Sequence, residues 1–410
     1  MILNVFKNTV LFFLLVFISC GSKTKEQLSN NNELTNQVKD DENIIVGANQ
    51  TEAYLPLLNG KRVGIVANQT SVIFKSDNLY THLVDSLVSL NVDIKKVFAP
   101  EHGFRGNADA GEHVDDGVDI KTGLPIFSLH GKSKKPSKEQ LEDIDIMIFD
   151  IQDVGVRFYT YISTLHYIME SCAENNIPLI ILDRPNPNGQ YIDGPSLEKE
   201  HQSFLGMHPI PLVHGMTISE YAQMINGEKW LLNGTQCNIT IIPCKNYAHD
   251  MSYSLSIRPS PNLPNNQSIK LYPSLGLFEG TNINAGRGTE FQFQRYGAPF
   301  LNPESMIFTY TPQANFGAKY PKHKNELCYG QDLSNVTATN KMTLKWIIKA
   351  YENSTDKSLF FLTDGFTKHA GTTKLQKQIE SGMSEADIKA TWKEDLDAFK
   401  KTRNNYLIYN

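Results

Sequence analysis

The 410-residue chain lacks most of the motifs that declare an enzyme class. No strand-like segment is followed by G-x-G-x-x-G or G-x-x-x-x-G-K-[ST], so the glycine cradles of dinucleotide and nucleoside triphosphate sites are missing. The stretch GNADAG after Arg105 fits neither pattern. H-E-x-x-H is absent, which removes the helical histidine pair of a zinc hydrolase. G-x-S-x-G is absent, which leaves serine-based acyl transfer without its elbow. Cysteine is scarce and never occurs as C-x-x-C. Cys237 and Cys244 flank the strand-like NITII at an odd spacing that puts them on opposite faces, so a bridge between them is not expected. These two, with Cys172 and Cys328, read as small buried residues. Charge of one sign is also lacking: 39 Lys and Arg against 44 Asp and Glu leave −5, too little to argue for a nucleic acid partner.

The N-terminus is different. Lys7 precedes the apolar TVLFFLLVFIS and then Cys20, a run too short for a comfortable membrane span and suited to a signal peptide. FISCGS resembles a bacterial lipoprotein signal with Cys20 as the acylated residue, although Phe17 stands where Leu is usual. The alternative is a signal peptide cut near Cys20 without lipid. Residues 21–45 are polar and almost free of aromatics, which makes them a tether between the leader and a folded part.

From residue 61 the pattern alternates. RVGIVAN, IKKVFAP, LPIFSLH, DIMIFDI and IPLIILD read as buried strands, separated by helical segments such as DNLYTHLVDSLVSL and YTYISTLHYIMESCAENN. Near-continuous apolar strands alternating with helices predict an α/β fold, a parallel sheet with helices on both faces. Each strand hands over to polar residues: Asn68 and Gln69, Glu101 and His102, His130, Asp153 and Arg157, then Asp183, Arg184 and Asn186. In open α/β sheets the carboxyl ends of the strands line the ligand crevice. The first domain is read as residues 46–204. Residues 205–410, where TISEYAQMINGEKWL is helical and the stretch from 258 to 300 is loop-rich, are read as a second, smaller α+β domain.

The densest polar stretch is VFAPEHGFRGNADAGEHVDD, residues 97–116. His102, Asp109, Glu112, His113 and Asp115 are possible metal ligands, but EHVDD provides no helical histidine pair, and no metal or other cofactor is expected. Glycoside hydrolysis remains, because it needs a carboxylic acid to protonate the leaving oxygen and a second group to attack or activate water. Glu101, after Pro100 and before Gly103, is placed to keep a proton if apolar walls shield it.

Together with GIVANQTSV, DIQDVGVRFYTYISTL, LDRPNPNGQYIDGP, PIPLVHGMTISEYA, YPSLGLFEGTNINAGRGTEFQFQRYGAP and HAGTTKLQKQIESGMSEADIKATW, this stretch resembles the exo-β-N-acetylmuramidase family of NamZ type from about residue 45 onward. The resemblance implies a Rossmann-like N-terminal domain and a smaller α+β C-terminal domain with the active site between them. It implies release of N-acetylmuramic acid from the non-reducing ends of peptidoglycan-derived MurNAc-GlcNAc saccharides. Its motif places the catalytic glutamate at Glu101, with His102 beside it and Glu290 as a further catalytic candidate. The other rim motifs supply Asn68, Gln69, Arg105, Glu112, Asp153, Arg157, Asp183, Arg184, Asn186, Glu279, Asn282 and Arg287 as candidate sugar contacts. One of Arg157, Arg184 and Arg287 is expected to hold the lactyl carboxylate. His130 departs from the Tyr more usual in the family. The alternative is an envelope lipoprotein that binds cell-wall sugars without cleaving them.

The leader puts the protein in the cell envelope, held to a membrane through Cys20 and facing the periplasm or the outer-membrane surface. Full-length protein should then partition into detergent and incorporate labelled palmitate, and Cys20→Ala should do neither. Equal partitioning and labelling of the two would remove the lipoprotein reading.

Overall fold

The computed structural model describes residues 43–410 apart from 77–78, 107–115 and 132. The leader with Cys20, the tether up to residue 42, and Asp109, Glu112, His113 and Asp115 lie outside the described residues. Contacts hold Asn43–Asn410 together as one unit.

The five strands form where the apolar runs place them, four of them largely buried and Pro125–Ser128 partly exposed. They are β1 (Val63–Ala67), β2 (Ile94–Ala99), β4 (Pro125–Ser128), β5 (Ile146–Asp150) and β6 (Leu179–Leu182), joined by a short β3 (Gly117–Val118) and by β7 (Ile239–Ile242). The sheet runs β7-β6-β5-β1-β2-β4-β3 and is parallel except for β3. β7 lies beyond residue 204, so the sheet extends into the part of the chain read as the second domain. Alternate residues of each strand feed two separate cores. Val66, Phe98, Phe149 and Ile181 pack on one face with helices α2 (Tyr161–Glu174) and α3 (Ile218–Gly227). Ile65, Val97, Ile148 and Ile180 pack on the other with helix α1 (Leu83–Ser89) and Tyr54. A strand covered on both faces has no solvent side, which is why its sequence shows no polar alternation.

A smaller mixed α+β region follows. Strands β8 (Arg295–Ala298), β9 (Phe308–Tyr310) and β10 (Cys328–Asp332) make an antiparallel sheet in the order β8-β10-β9. Helices α5 (Lys345–Glu352), α6 (Thr363–Ala370), α7 (Lys374–Glu380), α8 (Glu385–Ala390) and α9 (Lys393–Arg403) follow it. The four cysteines of the described residues are buried and free. Among the described residues no helix is long and apolar enough to cross a membrane.

Three segments differ from the sequence reading. Leu79–His82, read as the start of a helix, is a strand paired with Val72–Ser76, and His82 Nδ1 then caps α1 by accepting from the Val84 N–H at 3.3 Å. The stretch 258–300 contains a helix, α4 (Asn266–Leu275), despite Pro273 inside it. Asn265 closes a capping box at its start, and the Ile269 carbonyl that Pro273 cannot satisfy accepts from Asn188 Nδ2 at 3.3 Å. The C-terminal helical run breaks at Thr391–Trp392 into α8 and α9.

The end of β6 is latched by a residue far away in sequence. Asp183 is fully buried and accepts from Tyr409 Oη at 2.6 Å, Thr217 Oγ1 at 2.8 Å and the Ser219 N–H at 3.0 Å. Burial pushes its carboxyl up to about 6, with these donors opposing the rise. Tyr409 Oη also accepts from the Cys244 N–H at 2.8 Å. Tyr409→Phe removes a donor to a buried carboxylate and orphans an N–H, so it should cost about 2–4 kcal/mol of unfolding free energy at neutral pH. Denaturant titration checks this, and an unchanged midpoint would mean that the latch carries no stability.

Candidate active site

β1 lies between β2 and β5, so the chain reverses direction across the sheet at β1, where α/β sheets open a crevice at their carboxyl ends. A cavity lies there, lined by the loop after β2, the segment entering α2, the segment around residue 260, and residues 272–293 and 369. Glu101, His102, Tyr161, Tyr272, Arg287 and His369 are among its walls.

Glu101 is half-buried, and its Oε2 accepts from Thr160 Oγ1 at 3.1 Å. Burial pushes the Tyr161 and Tyr272 hydroxyls up, with the charge of Glu101 adding to it at Tyr161 and that of Glu279 at Tyr272, so both rings stay protonated phenols. The backbone beyond it turns sharply. His102 and Gly103 are both left-handed, at φ 72° and 75°, and the Gly103 N–H donates to the Pro100 carbonyl at 3.0 Å. A left-handed histidine costs roughly 1–2 kcal/mol, which tertiary packing must offset. His102 is buried, and its ring is part of the wall beside Glu101.

Tyr159, Tyr161, Tyr272, Phe158 and Phe293 form a continuous aromatic wall. Ring centroids are 4.8 Å apart for Tyr159–Tyr161, 5.9 Å for Tyr159–Tyr272, 5.3 Å for Phe158–Tyr272 and 4.8 Å for Tyr272–Phe293. The end of β1 positions this wall. Asn68 Nδ2 donates to Tyr161 Oη at 2.9 Å, while its Oδ1 accepts from the Thr70 N–H and hydroxyl at 2.8 and 2.6 Å. Gln69 Nε2 donates to the Pro259 carbonyl at 3.0 Å, and Tyr159 Oη donates to the same carbonyl at 2.7 Å.

Arg287 and Glu279 form an ion pair in the cavity wall. Arg287 Nη2 lies 3.0 Å from Glu279 Oε2, and the Arg287 guanidinium sits 5.6 Å from the Phe293 ring. Burial alone would raise Glu279, but Arg287, then Lys322 and His369, outweigh it and hold the carboxyl below its usual range. Arg287 Nε is buried with no partner among the described residues. Lys322 donates to the carbonyls of Phe278 and Glu279, each at 3.0 Å, and to that of Thr281, fixing the segment that bears Glu279.

Of the residues singled out in the sequence, Glu101, His102, Glu279 and Arg287 line the cavity. Several others serve the scaffold. Arg184 is buried and clamps Asp150 at 2.6 and 2.9 Å. Arg157 has no exposure and donates to four backbone carbonyls. Arg105 reaches Asp119 at 2.7 Å and Asp85 at 2.9 Å, fixing the start of the crowded loop. Asn186 donates to the Met216 carbonyl at 2.9 Å. Asp153 is buried; one oxygen accepts from the Gly155 N–H at 2.7 Å, and burial pushes its carboxyl up to about 7. Asn282 donates to the Leu359 carbonyl at 2.6 Å. Glu290 is exposed and is not part of the cavity wall. The sequence reading passed over Tyr159, Tyr161, Tyr272 and His369. The pair of tyrosines two apart in RFYTYIS, on either side of Thr160, was the available signal. Among the described residues, Glu198, Glu200 and His201 are close enough together to hold a metal, but Glu198 is paired with Lys374 at 2.7 Å and none of the three lines the cavity.

A half-buried carboxyl held among tyrosine rings, at the mouth of a parallel sheet, is the equipment of a glycoside hydrolase. Comparison with known proteins gives the family. The descriptions "Exo-beta-N-acetylmuramidase NamZ, N-terminal" and "C-terminal" match residues 63–267 and 270–409. The chain is 41% identical over 377 residues to the peptidoglycan beta-N-acetylmuramidase NamZ of Bacillus subtilis strain 168, covering 87% of this chain and 89% of that protein. Two crystal structures of DUF1343 family proteins from Bacteroides fragilis are also similar. One has TM-score 0.82 at 45% identity and the other 0.77 at 29%, each covering 90% of this chain and 99% of its own. This chain belongs to the NamZ exo-β-N-acetylmuramidase family and is a glycoside hydrolase. The alternative of a sugar-binding lipoprotein without catalysis falls with that membership.

Proposed function

We propose that the protein releases N-acetylmuramic acid from the non-reducing ends of peptidoglycan-derived saccharides, with Glu101 as the general acid. The observation that carries this reading is the placement of Glu101 in the cavity, half-buried, bonded through Oε2 to Thr160, and flanked by Tyr161 and Tyr272. In this role Glu101 passes its proton to the glycosidic oxygen as the bond breaks. The aromatic faces suit the sugar ring. Residues 46–204 carry the acid, and residues 205–410 close the cleft by supplying Tyr272, Glu279, Arg287 and Phe293.

Arg287 is the arginine of this reading that meets the lactyl carboxylate. Arg157 and Arg184 are buried and are not part of the cavity wall, whereas Arg287 is. The enzyme is held in the cell envelope, with Cys20 as the lipid-bearing residue and the polar tether giving it reach.

Glu101→Gln keeps the shape and a hydrogen bond but has no proton to transfer. It should fold and bind normally and lose about 10²–10⁴-fold in kcat on a natural disaccharide, and less on an aryl muramide with a good leaving group. Near-normal turnover of the disaccharide by folded variant would place the acid elsewhere. Arg287→Gln should erode the preference for muramides over the matching glucosaminides by about 30- to 1000-fold, equivalent to about 2–4 kcal/mol. An undiminished preference would move the anionic subsite away from Arg287.

A further inference from the structure

We infer that His369 is the base of this reaction: its Nε2 takes a proton from the water that attacks the anomeric carbon while Glu101 protonates the leaving oxygen. The inference rests on the reading of the cavity as a muramidase site.

The ring is built for that role by its own helix. His369 lies in the last turn of α6, and its Nδ1 is 2.8 Å from the Gly365 carbonyl, which can only accept. Nδ1 therefore carries the hydrogen, and Nε2 keeps its lone pair. The ring packs beside Phe158, centroids 5.4 Å apart, and forms part of the cavity wall. Its carbonyl accepts from Arg157 Nη2 at 3.2 Å and that of Ala370 from the same nitrogen at 2.6 Å, so the turn that bears the ring is anchored from below. The charged groups that face the ring are Glu279, Lys322 and Arg287. Burial is the largest influence on it, and the net effect holds the imidazole below its usual range, neutral at pH 7.

The other ionisable groups of the wall are less suited. The phenols of Tyr159, Tyr161 and Tyr272 are pushed up by burial and stay protonated. Glu279 is committed to Arg287 at 3.0 Å, a pairing that lowers its appetite for a proton. His102 adjoins Glu101 in the chain, whereas a base must act on the face opposite the leaving group. His369 comes from a different element altogether.

The step balances. Water loses a proton to His369 Nε2 as its oxygen bonds the anomeric carbon. The bond from that carbon to the leaving oxygen breaks, and the oxygen takes the Glu101 proton. The products are N-acetylmuramic acid and the shortened saccharide, and solvent returns the proton from the imidazolium to the Glu101 carboxylate. Attack from the opposite face inverts the centre, so a β-linked substrate yields the α-anomer first.

The test uses the folded enzyme and a chromogenic β-N-acetylmuramide. His369→Gln should lose about 10²–10⁴-fold in kcat with KM changed only a few-fold. The acid limb of the kcat/KM pH profile should disappear with the histidine, and azide should partly restore turnover while giving the α-glycosyl azide. A role only in holding α6 would instead lower the melting temperature and leave the pH profile in place, which would overturn the inference. So would β-anomer as the first product of the wild-type enzyme, seen by proton NMR; that readout needs no variant and stands even if His369→Gln does not fold. If wild type fails to cleave the muramide at all, the fault lies with the functional reading itself.

Discussion

The cavity depends on one buried cation that never meets an anion. Arg157 has no solvent exposure and spends its guanidinium on the carbonyls of Pro195, Ile210, His369 and Ala370, at 2.6 to 3.2 Å. Pro195 belongs to strand Asp193–Ser196 and Ile210 immediately precedes its partner Pro211–Val213; the other two carbonyls end α6. Desolvation without a carboxylate pulls the guanidinium down to about 9, so the fold holds this charge against a real penalty. Nothing larger than glycine fits beside it: a Cβ on Gly371, at φ 78°, would stand 2.5 Å from Arg157 Nη2. One side chain thus fixes a turn more than two hundred residues away in sequence, and that turn carries part of the cavity wall.

The other polar residues at the strand ends work in the same way. Asn68, Asp150, Asp183, Arg184 and Asn186 gather at the rim, and each is consumed by a protein partner. These residues are paired within the scaffold, and the cavity sets an aromatic wall beside Glu101, Glu279 and Arg287. This division suits a sugar, whose ring faces prefer aromatic surfaces and whose cleavage needs few but well-placed polar groups.

The strands were legible because burial on both faces leaves no other pattern than continuous apolar residues. Glu101 was legible as a candidate because a glutamate between Pro100 and the turn at Gly103 stands out at a strand end. The roles of the arginines were not. Arg157, Arg184 and Arg287 look alike in sequence, and only long-range packing decides that two lie outside the cavity wall while the third is part of it. Glu290, four residues into the same rim motif as Gly286, is turned outward by local loop geometry that spacing does not encode. Helix α4 was hidden because Pro273 argues against a helix, and the compensating donor, Asn188, is contributed by a distant loop. His369 was hidden because its tautomer, which gives it meaning, follows from a helical hydrogen bond.

The latch between Asp183 and Tyr409 joins residues 226 positions apart. A chain made from its N-terminus delivers β6 long before it delivers that hydroxyl. Until residue 409 arrives, the end of β6 holds a carboxylate with only Thr217 and Ser219 to face it, in a core that penalises charge. Loop closure over such a span adds little entropy beyond that of a shorter loop, so the delay is one of timing more than of free energy. The buried end of β6 is therefore satisfied late, after all seven strands of the sheet and the cleft-forming segments have been delivered, and a partly made chain carries an incompletely satisfied carboxylate there.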